Sequence, residues 1–453
     1  MQGHLAPERK PRHVVEADSA EKVRGAPETQ EKTPWTLYSR SQRRLFLFML
    51  FLVSTSSYVD KNIVGVLLEQ IKAEFQVSDA MLGLLSGISF ALFYATFGIP
   101  VARWADRGNR KRVITISLLV WSAMTALCGT AASFWQLVLA RFGVGAGEAG
   151  AMPPAQSLLA DYYPPAERAS AIGIFMMSSP AGYALGLILG GYIAQNYGWR
   201  AAFVYVGLFG IIIAPLTHFF LREPRQLTQA AASRPTNDES MLSSVRSLME
   251  KAAYRNILAA ITIHFLMGYG VLVFIVSLLM RLHGLNVAQA GATFGTISAA
   301  GAIVGNLVGG RIADRLATRN LSLVPRMAGW AMIAAVPLFD LALASPTVTL
   351  LVPLLFVAMA VLNSILPPMF SALHAVCGSK RRAMAVAVAF FTANLVGVGL
   401  GPVVAGLLSD WFAAFYGPGN GLRYALMVVM LILLPGGWLM MRAAPHFKSD
   451  TEA

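Results

Sequence analysis

Long apolar runs separated by short charged loops dominate the chain. The runs are apolar throughout rather than alternating apolar with polar, and each reaches the roughly 20 residues that cross a bilayer's hydrocarbon core. Lipid offers the backbone no hydrogen-bond partner, so a non-alternating run of this length is read as a helix. About twelve are predicted. Those of the first half span 45–68, 81–104, 112–132, 134–160, 169–195 and 200–221; those of the second span 256–281, 288–312, 324–344, 347–374, 382–409 and 422–441. The fold class expected is an all-α membrane protein of twelve transmembrane helices.

A repeat divides these helices into two sets. Residues 102–112 (ARWADRGNRKR) and 310–320 (GRIADRLATRN) each follow a glycine-rich apolar segment, and both keep an Ala-Asp-Arg core. Asp106 and Asp314 stand 208 residues apart, a little under half the chain. A charged loop recurring at that interval implies two pseudo-symmetric six-helix bundles, an architecture of transporters. The expected organisation is a disordered tail over 1–44, a first bundle over 45–222, a linker over 223–255, a second bundle over 256–442 and a tail over 443–453. Within the linker, 241–257 could form an amphipathic surface helix.

Composition agrees with this reading: 56% of residues are hydrophobic and 13% charged, where soluble domains carry about 25%. Mean hydropathy is +0.58. The net charge of +13 suggests a nucleic-acid partner until its distribution is followed. Of the 36 Lys and Arg, about 30 fall on one side of the predicted topology; Lys72, Arg200, Arg281 and Arg423 fall on the other, and Lys61 and Arg141 within helices. That bias is the positive-inside pattern, so both termini are expected in the cytoplasm and the basic loops against membrane lipids rather than nucleic acid. The first apolar run is of spanning length and reads as a retained helix, not a cleaved signal. Cys128 and Cys377 fall at opposite membrane faces, too far apart for a disulfide. No metal-ligand spacing, phosphate loop or nucleophile elbow is present, so neither a cofactor nor an enzyme is expected.

Candidate chemistry lies in the charges at membrane depth, each of which costs roughly 2.5–3.5 kcal/mol at mid-helix unless paired or solvated. Asp60 and Lys61 stand on the first helix, Arg141 and Glu148 on the fourth. Seven residues, two turns, separate Arg141 from Glu148, so both project from one face and can form an ion-pair group with Asp60. A carboxylate whose cation partner comes and goes with conformation can load and release a proton; a static salt bridge is the alternative. The second half is poorer, with His264 and Asp340 only. At the inner rim Asp106, Arg107, Arg110, Asp314 and Arg315 are read as gate residues. Gly182, Gly186 and Gly190 on the fifth helix and Gly301, Gly305 and Gly309 on the eighth are expected to form a sliding contact between halves. Gly397, Gly401, Pro402 and Gly406 read either as a kinked gate segment or as plain helix packing.

The residues 102–112, Arg141-x-x-x-Gly145-x-Gly147-Glu148 and Trp199-Arg200 resemble motifs of the major facilitator superfamily over about residues 40–443. Within it, Tyr58-x-Asp60-Lys61, Ala105-Asp106-Arg107-x-Asn109-Arg110-Lys111 and Arg141–Ala149 are similar to the spinster family's Y-x-D-R, G-D-R-x-N-R-K and R-x-x-x-G-x-G-E-A. Lys61 departs from the family's Arg, and Ala102 from the usual Gly. The resemblance implies alternating access, transport of lysophospholipids or sphingoid lipids, and proton coupling at Asp60 and Glu148 with Arg141 as pairing base. Candidate substrate contacts are Tyr58, Arg141, Met176, Tyr183, His264, Tyr269, Phe390 and Asn394, with Phe175, Phe265 and Phe391 as further apolar wall. The expectation is a monomeric, proton-coupled transporter of an amphipathic molecule in a bacterial inner membrane. A drug or organic-anion transporter is the alternative, and a non-transporting receptor or scaffold a distant one.

Overall fold

The computed structural model describes residues 34–224 and 241–452. Every regular element among them is helical. The first half comprises α1 (Arg40–Phe75), α2 (Asp79–Ser86), α3 (Ile88–Arg107), α4 (Arg110–Cys128), α5 (Phe134–Glu148), α6 (Met152–Tyr162), α7 (Pro165–Met176) and α8 (Ser178–Phe220). The second comprises α9 (Met241–Glu250), α10 (Ala252–Leu272), α11 (Ile275–His283), α12 (Val287–Arg319), α13 (Leu323–Leu343), α14 (Val348–Ser364), α15 (Leu366–Thr392), a π-helical turn (Ala393–Val398), α16 (Gly399–Met430) and α17 (Leu433–Glu452).

Some of these are pieces of one crossing. α2 and α3 are separated only by Gly87, α7 and α8 only by Met177, and α14 and α15 only by Ile365. Conversely, α8, α15 and α16 each run through a chain reversal at Gly198, Gly378 and Gly417, whose φ values of 84°, 66° and 77° only glycine adopts cheaply. Divided at those corners and with the short pieces rejoined, the described chain reads as twelve rods, six per half. Eight helical stretches are long and apolar enough to cross a membrane, and those over 165–220 and 384–447 each contain a glycine corner. Local signals fix several starts: Ser39 with Gln42 and Asn286 with Gln289 form capping boxes at α1 and α12.

Three segments differ from the sequence reading. The tail expected to be disordered over 1–44 carries a 3-10 turn at Pro34–Leu37 and the start of α1 at Arg40, while 1–33 lie outside the described residues. The surface helix expected over 241–257 breaks at Lys251, whose extended backbone separates α9 from α10, so its last turns belong to the seventh crossing. The segment read as a tail from residue 443 continues α17. Ala443, Ala444 and Phe447 are buried, the Asp450 carboxylate accepts from the Ala253 amide at 2.9 Å, and Lys251 Nζ donates to the Asp450 carbonyl at 2.8 Å.

The glycine stripes also pack differently. A Cβ at Gly182, Gly186 or Gly190 would meet Tyr58, Val59 or Ile63 of α1, and one at Gly301, Gly305 or Gly309 would meet Met359, Ala360 or Ser364 at the α14–α15 crossing. Both stripes therefore seal helices within their own half. The inter-half contact of α8 with α12 uses other glycines: Gly191 against the Val287 carbonyl, and Gly291 and Gly295 against Leu187, Ala184 and Ile188. Tyr183 packs edge-on against Phe294 across the same seam, with ring centroids 6.1 Å apart. These contacts lie in the half of each crossing remote from the termini, here called the far end; the end where α1 begins and α17 finishes is the near end.

Adding a side chain should separate the two glycine roles. Gly291→Leu should destabilise the state in which the far end is closed, seen as longer spin-label distances across that end. Gly305→Leu should instead lower thermal stability by about 1–3 kcal/mol through overpacking within one half.

Candidate functional site

The four charges expected at membrane depth converge between α1 and α5, with a pairing the spacing did not reveal. Lys61 Nζ lies 3.0 Å from Glu148 Oε2, and Ser57 Oγ donates to the same oxygen at 2.8 Å. Arg141 Nη1 stands 4.0 Å from Asp60 Oδ1 and donates to the Asp60 carbonyl at 3.4 Å, while Thr125 of α4 donates to Oδ1. Adjacent residues of α1 thus pair with residues two turns apart on α5. Glu148 Oε1 and Asp60 Oδ2 are both buried without a partner. Each carboxyl is held by one oxygen and left with a free one.

Access differs between the pairs. The Arg141 side chain, a candidate substrate contact, is 1% exposed in this conformation and lies over the Phe90 ring at 5.7 Å. Lys61 is 19% exposed. Its ammonium sits 5.1–5.3 Å from the centroids of Tyr58, Phe90 and Tyr94, within cation–π range.

A second constellation closes the far end. Arg281 of α11 donates to both oxygens of Glu69 at 2.7–3.0 Å and to both of Asp79 at 2.6–2.7 Å. Asp79 also takes Lys72 at 2.5 Å and Ser409 at 2.6 Å. The Asp410 carboxylate accepts from the amides of Asp79 and Ala80 at 2.9 and 2.8 Å, capping the amino terminus of α2 from the opposite half. Among the described residues, the ion pairs joining the two halves all lie here.

A family model described as Major Facilitator Superfamily matches residues 50–395. The chain belongs to that superfamily. It is 32% identical over 406 residues to an MFS-type efflux pump of Mycolicibacterium smegmatis, covering 89% of this chain and 92% of that protein. It is 27% identical over 432 residues to a sphingosine-1-phosphate transporter of Danio rerio, covering 87% and 83%. A bacterial homologue of the human lysosomal transporter spinster, solved inward-facing and unoccupied, superposes with a TM-score of 0.83 at 30% identity, covering 91% of this chain and 99% of that one. This superfamily member is a multi-pass integral membrane protein with spinster homologues among its relatives.

The remaining candidates scatter. Arg110, read as a gate residue, is buried within its own half, with its guanidinium bonding Glu223 at 2.5 Å, Asp161 at 2.6 Å and Ser157 at 2.9 Å. Asp314 and Arg315 are exposed, and no ion pair of theirs occurs among the described residues. The side chains of Asp106 and Arg107 lie outside the described residues. His264 is buried with Nδ1 unpartnered. Met176, Tyr269, Phe390 and Phe391 are exposed, whereas Phe175 is wholly buried as packing. Phe265 stacks on Tyr269 and Phe370 on Phe390 at 6.2 and 5.3 Å, and Asn394 Nδ2 donates to its own helix at Phe390.

The far-end group was missed by sequence reasoning, though a signal existed. Lys72 and Arg281 are two of the few basic residues placed against the positive-inside bias, and such exceptions call for a local partner. Stripping one member of a buried ion pair costs roughly 3–5 kcal/mol. Arg281→Gln, which leaves Lys72 on Asp79, should sit at the lower end of that range and shift the protein toward a far-end-open state. Spin-label distances across the far end should lengthen, while an Arg246→Gln control on the exposed α9 should leave them unchanged.

Proposed function

We propose that this chain is a proton-coupled secondary transporter working by alternating access on an amphipathic substrate such as a lysophospholipid or sphingoid-like lipid. The observation that carries this reading is Glu148, buried, paired to a partly exposed Lys61, and left with one oxygen free. A static bridge at membrane depth is expected to satisfy both oxygens; one poised to exchange partners is not.

The sequence of events follows from which cation is reachable. An anionic head entering between the halves meets Lys61 within its aromatic surround and competes with Glu148 for the ammonium. Glu148, losing its counter-charge in a low-dielectric site, takes up a proton; restoration of the pair after release expels it. Asp60, behind it with Arg141 and Thr125, senses the same exchange through the shared backbone of α1 and changes its protonation as Arg141 moves. The exposed Tyr269, Phe390, Phe391 and Met176 supply apolar wall for the hydrocarbon part. His264 and Tyr183 are assigned to the same wall, Tyr183 at its far-end seam.

With the far end latched, the near end is the open one, which agrees with the inward-facing state of the spinster homologue. The basic loops support a cytoplasmic position for that end and for both termini, and the bacterial homologue favours a bacterial inner membrane. The loops of Asp106 and Asp314 form the inner gate when the near end closes, a role supported by Asp314 and Arg315 being exposed and making no ion pair among the described residues. One chain supplies both halves of the path and acts as a monomer. The lipid reading draws on the sphingosine-1-phosphate relative; the efflux-pump relative favours a second reading, export of amphipathic drugs.

Proteoliposomes with and without a pH gradient test the coupling, with an anionic lysolipid, a cationic amphiphilic drug and a sugar as substrates. The lysolipid should move faster with the gradient, and the sugar not at all. Glu148→Gln and Asp60→Asn should each cut gradient-driven transport by at least about tenfold while unfolding as the parent does, because an amide keeps the shape but cannot cycle a proton. Wild-type rates in both variants would place coupling elsewhere. Preference for the drug would replace the lipid reading with the export one.

A further inference from the structure

At the near end, α1 opens with three arginines in its first turn and a half: Arg40, Arg43 and Arg44. A helix amino terminus carries partial positive charge and favours acidic side chains, yet the first turn of α1 has none. With Tyr163 and Glu167 these arginines line a concavity of about 250 Å3. Glu167 answers one of the three charges, at 3.2 Å from Arg43. The Arg43 side chain is 11% exposed, lies over the Tyr163 ring at 5.7 Å, and has its Nε buried without a partner. Arg40 and Arg44 make no ion pair among the described residues.

The same face continues into the first predicted crossing, which begins at residue 45. Arg40, Arg44 and Phe48 are spaced by four and so share one stripe of α1, with Leu45 beside it, and all four are exposed. Over about 12 Å that stripe passes from guanidinium to hydrocarbon. Orientation asks only for positive charge on this side of the membrane; it does not ask for three guanidinium groups gathered around a hollow at headgroup depth.

We propose that this hollow binds the phosphate of an anionic phospholipid, whose acyl chains run along Leu45 and Phe48, so that the lipid ties the start of α1 to the start of α7. Arginine suits the role, since its planar fork takes two phosphate oxygens at once. The bound anion also neutralises the charge crowded against the α1 dipole.

The full chain in detergent, titrated with phosphatidylglycerol, phosphatidylcholine of the same acyl chains, or inorganic phosphate, tests this by native mass spectrometry and thermal unfolding. Phosphatidylglycerol should be retained and should raise the unfolding temperature; the other two should do neither. The double variant Arg40→Gln, Arg44→Gln should lose phosphatidylglycerol affinity by about tenfold or more. Arg40→Lys with Arg44→Lys should recover part of it. Because charge opposed to the helix dipole is being removed, the Gln variant without lipid should be at least as stable as the parent, which separates lost binding from lost folding. Undiminished retention in the Gln variant, or equal retention of phosphatidylcholine, would overturn the proposal. Equal stabilisation by inorganic phosphate would make the hollow a small-anion site and overturn its assignment to lipid.

Discussion

Asp60 and Lys61 are neighbours that cannot satisfy one another. Successive residues of a helix point about 100° apart, and an unpaired charge at membrane depth costs several kcal/mol. Each must find its opposite on another helix, and both find it on α5, at Arg141 and Glu148. This double requirement fixes α1 against α5 in rotation and in height, brings Thr125 of α4 and Ser57 onto the two carboxylates, and leaves Lys61 as the one cation of the four that reaches toward open space. The aromatic surround of Tyr58, Phe90 and Tyr94 follows from the same geometry, because a cation turned out of its bundle needs a π face where it has no second anion.

Much of this was legible in the sequence. Hydropathy carries the crossings because lipid permits so few backbone solutions, and the repeated Ala-Asp-Arg loops disclose the two halves. The identities of the four buried charges were readable for the same energetic reason: nothing but function or pairing keeps them there. Their partners were not. Seven-residue spacing placed Arg141 and Glu148 on one face, but which of them meets Asp60 depends on the vertical offset of α1 and α5, a tertiary quantity with no local code.

The glycine stripes show the same limit. A four-residue spacing announces that a helix will be approached closely without naming the neighbour. Gly190 faces α1 while Gly191, one residue and 100° further round, faces α12. The chain reversals at Gly198, Gly378 and Gly417 were visible only as short polar gaps. The far-end charges escaped because Glu69, Asp79 and Arg281 sit in or beside loops, where charge is ordinary; only their convergence from two halves makes them a unit.

That unit is ionic rather than greasy, and the choice governs the balance between conformers. Had the far end been sealed by its apolar α8–α12 seam alone, with more hydrocarbon in place of these charges, parting it would wet that extra surface at about 25 cal/mol per Å2 and bias the molecule further toward one shape. When Arg281 leaves Glu69 and Asp79, all three exchange each other for water, and desolvation recovered largely offsets attraction lost. The ionic part of the closure therefore adds little bias of its own between open and closed arrangements, and a differential affinity for cargo counts for more in tipping one into the other.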